Sequence, residues 1–234
     1  MNSLQDKVAF ITGGTKGIGY GIAQALIEQG MRVVITGREL DSARDAATQL
    51  NGKALGLAAD VRDLKSMEVA VKATLDHYGQ LDLLIANAGV GHFAPIDQLT
   101  SEQWNATIDT NLTGVFNTVK AGLDAIKKAK GYIMTISSLA GTNFFASGTA
   151  YNASKFGLTG FTQALMLDVR NDDVKVTTIM PGSVSSHFGG RAPEDGANWR
   201  IQPEDIGQIV VDLMKMHPRT LPSKVEVRPS KTGK

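Results

Sequence analysis

Short apolar runs, each followed by a stretch long enough for a helix, constrain this chain more than any other feature of it. The runs occupy residues 8–12, 33–36, 54–58, 81–86, 132–136, 174–179 and 225–227, with 54–58 the weakest. Runs this short and this apolar read as strands buried on both faces. Between them the apolar residues fall at helical spacing, as in Ile18, Ile22, Ala25 and Leu26. Gly30 stands where a helix end favours a left-handed residue. Thr100 followed by Gln103 reads as a capping box opening a long helix over 100–130, and a second long helix is expected over 150–170. Buried strands joined by helices imply a parallel sheet covered on both faces. With 234 residues, 42% of them hydrophobic, the chain is expected to form one α/β domain. The polar stretch 183–202 reads as a mobile substrate loop, and 230–234 as a frayed tail.

Charge and cysteine content narrow the function classes. Lys plus Arg number 24 and Asp plus Glu 23, a net of +1, which argues against a nucleic-acid partner. With no cysteine, neither a disulfide framework nor a thiolate zinc site can form, and no other metal-ligand spacing is present. No apolar run approaches the roughly 20 residues that span a bilayer. Residues 1–7 lack a signal peptide's apolar stretch. A soluble cytoplasmic protein without a membrane partner is therefore expected.

In an open parallel sheet, ligands bind beyond the carboxyl ends of the strands, and the informative residues follow those ends. Residues 12–19 read Thr-Gly-Gly-Thr-Lys-Gly-Ile-Gly, after the first strand and opening a helix. Gly13 permits a tight turn, Gly17 clears space for a pyrophosphate, and Gly19 lets helix and strand pack closely. Thr15, Lys16 and Ile18 lie in the same turn, whose helix N-terminus presents N–H groups to an anion. The context favours a dinucleotide over a mere tight turn. The second strand ends in Gly37-Arg38, where an acid would bind the ribose hydroxyls of NAD. A guanidinium suits a 2′-phosphate instead. Arg38 and Lys16 therefore predict NADP(H), against the plainer reading of two solvated cations. Asp60, with Val61 after it, either accepts from an adenine amino group or caps the helix starting near Asp63. Asn87-Ala88-Gly89 either bridges strands and lets the backbone approach a ribose or is an ordinary turn.

Tyr151 and Lys155 stand four apart, on one helical face. A phenol has a pKa of about 10, and a nearby ammonium lowers it, which helps proton exchange with an alcohol oxygen. Lys155 can also donate to ribose hydroxyls. Ser138, just after the fifth run, can polarise a carbonyl. Asn111 is a polar residue inside a helical stretch; it either holds a water behind Lys155 or bonds its own backbone.

These residues together resemble the short-chain dehydrogenase/reductase family in its compact single-domain branch. The motifs follow in the family's order along nearly the whole chain: the turn at 12–19, Asp60, Asn87-Ala88-Gly89, Asn111, Ser138, Tyr151 with Lys155, and Pro181-Gly182. The resemblance implies a Rossmann-type three-layer α/β fold with a seven-stranded parallel sheet and helices on both faces. It also implies Asn111, Ser138, Tyr151 and Lys155 as a catalytic tetrad. Tyr151 would donate the proton, Lys155 bind ribose and lower the Tyr151 pKa, Ser138 orient the carbonyl, and Asn111 support a relay through water. Pro181, Gly182, Val184 and Ser186 would lie beside the nicotinamide, with Ser186 where the family usually has Thr. Ala86 departs from the family's first Asn. The implied reaction is hydride transfer between NADP(H) and a carbonyl/alcohol pair.

Substrate contacts are expected from residues 91–93, 139–145 and the 183–202 loop, with Phe93, Phe144, Phe145, Phe188 and Trp199 forming an apolar pocket or merely packing. His92 and His187 read as polar surface residues. The resemblance extends to 3-oxoacyl-acyl-carrier-protein reductases, and the ending Glu226-Val227-Arg228-Pro229 to general carbonyl or sepiapterin-type reductases. An acidic acyl-carrier protein would need a basic rim, for which Arg191, Arg200 and Arg219 are candidates. A non-catalytic NADPH-binding sensor is the distant alternative. The family resemblance also implies a homodimer or homotetramer through the two long helices, some of whose large residues (Phe116, Phe156, Phe161, Leu165) must be core.

Overall fold

A computed structural model describes residues 3–186, 188 and 198–231. Strands β1 (Val8–Thr12), β2 (Arg32–Gly37), β3 (Ala54–Ala58), β4 (Leu83–Ala86), β5 (Tyr132–Ile136), β6 (Lys175–Pro181) and β7 (Lys224–Val227) alternate with helices along the chain. The helices are α1 (Gly17–Glu28), α2 (Leu40–Gln49), α3 (Leu64–Tyr78), α4 (Ser101–Ile108), α5 (Gly114–Ala129), α6 (Thr149–Val169) and α7 (Pro203–Lys215). Among the described residues the strands form one seven-stranded, all-parallel sheet in the order β3-β2-β1-β4-β5-β6-β7. Each apolar run foreseen in the sequence is a strand, with ends shifted by no more than two residues.

Strand alternation splits the core into two layers. Ala9, Ile11, Val33, Ile35, Leu83 and Ile85 face the side covered by α1, α2 and α7. Phe10, Val34, Leu84 and Ile133 face the side covered by α3, α5 and α6. Every residue of β1, β4 and β5 is buried, as a central strand covered on both faces requires. The edge strand β3 is half exposed, which explains its weak apolar signal. On the first side α1 and α7 approach closely because Gly21 and Gly207 face each other's helix. A Cβ on Gly21 would lie 2.6 Å from the backbone of Pro203.

The capping box closes as expected: Thr100 Oγ1 accepts from Gln103 N (3.2 Å) and Gln103 Oε1 from Thr100 N (3.1 Å). Gly30 has φ +81°, the left-handed conformation foreseen at that helix end. The single helix expected over 100–130 is instead interrupted. Residues Asp109–Thr113 form one π turn between α4 and α5. The wider turn accompanies an outward commitment of Asn111, whose amide bonds another segment of the chain; such turns cluster at functional sites.

The sheet order reverses direction between β1 and β4, so the loops after these two strands part to opposite sides and leave a crevice. The glycine turn follows β1 and Asn87–Gly89 follows β4. The fold thus delivers both motifs to one edge.

Candidate active site

The glycine turn is held against the segment after β4. Asn87 Nδ2 donates to the carbonyls of Thr12 and Gly13, both at 2.9 Å. Thr12 Oγ1 accepts from the backbone N–H groups of Asn87 (3.0 Å) and Ala88 (3.2 Å). The crevice is therefore stitched shut at its base. Asn87 acts here as a structural clamp on the turn, a role the sequence left open. Gly13 and Gly17 have φ values of +64° and +57°, which disfavour a side chain. At Gly19 a Cβ would lie 2.5 Å from the Gly13 carbonyl oxygen. Lys16 occupies the N-cap of α1 without any side-chain capping bond, so the first N–H groups of α1 point outward with no cap. A cavity of about 320 Å³ opens beside Lys16 and Thr15, against Ser42 and Asp45 of α2.

Arg38, exposed at the end of β2, lies close enough to Asp60 to help hold its carboxyl below the usual value. The main cause of that lowering is Arg62, whose guanidinium donates to both Asp60 oxygens (Nε at 3.0 and 3.1 Å). Of the two readings of Asp60, capping is excluded. Asp63 is the N-cap of α3, accepting from Lys65 N at 2.9 Å. Val61 is buried, and its side chain packs at Gly114.

The four tetrad candidates come from three separate elements. Tyr151 and Lys155 lie in the first turns of α6, and both are buried. Ser138 follows β5 and caps a short 3-10 turn, Leu139–Gly141, accepting from Ala140 N (3.1 Å) and donating weakly to Pro181 O (3.4 Å). Its hydroxyl also lies near enough to the Tyr151 phenol to draw that phenol's pKa down. The Lys155 ammonium donates to Ile136 O at 2.9 Å, just past the end of the sheet, and sits 5.8 Å from the centroid of the Tyr151 ring. Asn111 Oδ1 accepts from Val90 N (2.8 Å), while its Nδ2 donates to Val90 O (2.8 Å) and Ser154 Oγ (3.0 Å). Both amide protons are thus used, leaving one acceptor lone pair on Oδ1 for any water. Gly89 passes beside this group: a Cβ there would lie 3.3 Å from Asn111 Oδ1 and 3.9 Å from Lys155 Nζ.

Electrostatics correct one sequence expectation. Burial pushes the Tyr151 phenol above its ordinary value, and only the Ser138 hydrogen bond pulls it down. Lys155, which was expected to lower it, is itself buried. Desolvation lowers the Lys155 pKa to about 8. Burial is a tertiary property, so no spacing rule reveals it.

The segment after β6 closes the site. Gly182 N donates to Val227 O (2.8 Å). Val184 pairs with Ile201, and Ser185 N donates to Ile201 O (2.8 Å). These contacts hold Ser186 against the glycine turn, where a Cβ on Gly17 would lie 3.4 Å from the Ser186 Cβ. Half of the loop foreseen over 183–202 lies outside the described residues, as do His187, Arg191 and the end of the 230–234 tail. Trp199 pairs with Arg200 (guanidinium 5.3 Å from the ring centroid) rather than with the phenylalanines.

Two residues that sequence reasoning missed also serve the site. Ser154 Oγ accepts from Asn111 and donates to Tyr151 O (2.8 Å), linking the π turn to α6. Asn152 Nδ2 donates to Ala140 O and Asn143 O, both at 2.8 Å, tying the loop after Ser138 to the helix that carries Tyr151. Their place beside Tyr151 and Lys155 was the only signal available, since Asn111, Ala140 and Asn143 are brought to them by the fold. Among the described residues no cluster of three or more metal-ligating side chains occurs, and no helix is long and apolar enough to cross a membrane.

Known proteins resemble this chain in sequence and fold. An uncharacterized oxidoreductase of Staphylococcus saprophyticus is 32% identical, with 98% of this chain and all of the relative aligned. A 3-oxoacyl-[acyl-carrier-protein] reductase of Vibrio harveyi is 35% identical over 79% of this chain and 76% of its own length. The structure of an alcohol dehydrogenase from the archaeon Thermococcus sibiricus, complexed with 5-hydroxy-NADP, superimposes with a TM-score of 0.90 at 28% identity. It covers 98% of this chain and 99% of that one. The model of the short chain dehydrogenase family matches residues 7–196. The chain is an oxidoreductase fold of that lineage, and it belongs to the short-chain dehydrogenase/reductase family.

Proposed function

We propose that this protein is an NADPH-dependent carbonyl reductase that turns a ketone or aldehyde into an alcohol, with Tyr151 as the proton donor. The observation that carries this reading is the convergence of Tyr151, Ser138, Lys155 and Asn111 at the crevice where the glycine turn ends. The cradle fits a dinucleotide. Gly13, Gly17 and Gly19 keep side chains away from those three positions of the turn, and the uncapped start of α1 offers donors to a pyrophosphate. Asp60, Ala88, Gly89 and the 181–186 segment would flank the rest of the coenzyme. When bound, the coenzyme supplies the hydride.

The chain's own residues supply the remainder. Ser138, rigidly placed by its backbone partners, orients the carbonyl oxygen toward the Tyr151 hydroxyl. Burial keeps that hydroxyl protonated at neutral pH, the form a donor needs. An alkoxide is a far stronger base than a phenolate, so the transfer runs downhill. Lys155 holds an ammonium beside the ring below pH about 8 and is placed to donate to ribose hydroxyls. Asn111 keeps its one spare acceptor for a water behind Lys155.

Preference for NADPH is supported at the end of β2. A Cβ on Gly37 would lie 2.7 Å from Thr15 Cγ2, so an acidic side chain there meets the turn. Arg38 stands free to grip a 2′-phosphate with parallel hydrogen bonds. Arg38→Ala is expected to lower the ratio of kcat/KM for NADPH over NADH by about 10- to 100-fold, equivalent to a charge-assisted pair of roughly 1.5–3 kcal/mol. An unchanged ratio in steady-state assays would remove this assignment. A coenzyme kept reduced in the cytoplasm fits a cytoplasmic site of action.

A second reading, reduction of a 3-oxoacyl thioester on an acyl-carrier protein, is favoured by the Vibrio relative's name. Its basic rim rests on Arg200, already paired with Trp199, and on Arg219, beside His217. The general carbonyl or sepiapterin-type reading needs no such rim.

Self-association into a dimer or tetramer is proposed through α5 and α6. Leu165 is buried and Phe161 packs on the core beneath them, while Phe116, Phe156 and Leu167 remain exposed on the outer faces. Light scattering at micromolar concentration is expected to give at least twice the chain mass. A monomer mass would contradict this.

A further inference from the structure

We propose that the mouth of the site selects a carbonyl bearing a flat apolar group, an aryl ketone, and that Phe93 and Phe188 are its specificity-determining residues. The inference rests on the reductase reading and deepens it. Phe93, Phe145 and Phe188 are 46%, 48% and 37% exposed, yet they are not scattered. The Phe93 centroid lies 5.9 Å from that of Phe145 and 6.4 Å from that of Phe188. Two of the rings also meet the catalytic phenol. Phe93 stands edge-on to Tyr151 at 5.3 Å, and Phe188 lies 5.5 Å from it. Phe144, expected to join them, is 86% exposed and takes no part in these ring contacts.

The three rings arrive from the loops after β4, β5 and β6, so this is a built collar rather than a local run. Two glycines reserve its space. A Cβ on Gly91 would lie 2.6 Å from the Phe188 ring and 2.9 Å from the Phe93 ring. A Cβ on Gly148 would lie 2.7 Å from the Phe145 ring. The backbone at both has no left-handed φ, so glycine is needed there for room and not for conformation. Ala94 N donates to Ser147 O at 3.0 Å, fastening the first loop to the second. Asn152 fastens the second to α6, one residue from Tyr151.

A collar of half-exposed rings around a proton donor offers apolar faces and edges. An aryl group can stack on these or meet them edge-on. A flexible acyl thioester presents no flat surface to match. Among the described residues the cation–π pairs lie elsewhere, at Tyr78, Tyr132, Trp199 and between Lys155 and Tyr151, so the three phenylalanine faces are not engaged by cations.

The test uses the full chain with saturating NADPH and three carbonyls: acetophenone, 2-butanone and an acetoacetyl thioester. The kcat/KM for acetophenone is expected to exceed each of the others by about tenfold or more, in line with what apolar pocket contacts discriminate. Phe93→Leu and Phe188→Leu keep apolar bulk, and so protect folding, but remove the flat face. Each is expected to collapse the acetophenone-to-butanone ratio toward one, chiefly through KM. Phe93→Ala and Phe188→Ala should do so more strongly. Equal or better use of the thioester or of butanone by the parent chain would overturn the inference while leaving the reductase reading intact. So would an unchanged ratio in both leucine variants. NADPH binding with no reduction of any of the three would overturn the reductase reading and this inference with it.

Discussion

Tyr151→Phe is expected to lower kcat for ketone reduction by about 10²- to 10⁴-fold, the usual worth of a positioned proton donor. NADPH affinity should stay within about threefold. The substitution removes a single oxygen. The ring contacts with Phe93 and Phe188 survive it, and so do the backbone bonds of α6, so the fold has no reason to change. What is lost is the one proton poised at the carbonyl oxygen. Ser138 cannot replace it, because its aliphatic hydroxyl is far less acidic than a phenol. The check is a rate assay paired with fluorescence titration of NADPH on the same preparation. Near-normal kcat with intact binding would remove Tyr151 from the reaction.

The second large effect concerns stability as well as rate. Lys155→Met is expected to abolish useful turnover, by roughly 10²-fold or more, and to make the protein more stable at pH 7. Burial lowers the Lys155 pKa from 10.5 to about 8. The unfolded chain therefore holds this proton more tightly than the folded one. Unfolding takes up a proton between pH 8 and 10.5, so stability rises with pH across that window. Below pH 8 the penalty is fully present, about 3 kcal/mol at 1.36 kcal/mol per unit. Methionine fills the same space without a charge. It forfeits the charge-assisted bond to Ile136 O, worth about 1.5–3 kcal/mol, for a net gain of about 1 kcal/mol at pH 7. Near pH 10 the gain should have vanished. Denaturant midpoints at the two pH values measure this directly. A variant destabilised equally at both would show that the ammonium is not held against solvation. The same titration predicts that reduction by the parent chain weakens as pH rises through about 8, where the ammonium beside Tyr151 is lost.

Sequence reasoning and structure agree where local chemistry decides the outcome. The central strands are buried on both faces, so their apolar runs were unmistakable, and the glycine turn carried its left-handed positions openly. Agreement weakens where partners are distant. The π turn at Asp109–Thr113 leaves no periodic trace, because it is one wide turn whose purpose is to send Asn111 toward Val90. Asn152 belongs to no motif of its own, yet it fastens a loop whose irregular path no pattern encodes. Tyr151 and Lys155 were legible as a pair, but the direction of the phenol's shift was not. Spacing gives proximity, whereas burial depends on β5, α6 and the collar assembling together. Of the five aromatic residues expected near the substrate, Phe93, Phe145 and Phe188 form one ring cluster that meets Tyr151 through Phe93 and Phe188, while Phe144 and Trp199 stand outside it.

The central claim is that Tyr151, set by Ser138 and Lys155 beside the glycine turn, makes this chain a reductase of carbonyl groups. The most direct measurement supplies the parent protein with NADPH and acetophenone, and follows coenzyme oxidation and alcohol formation together. The account predicts that they rise in equal amounts and that turnover continues beyond one equivalent of protein. Bound NADPH that stays reduced in the presence of every ketone and aldehyde offered would contradict it.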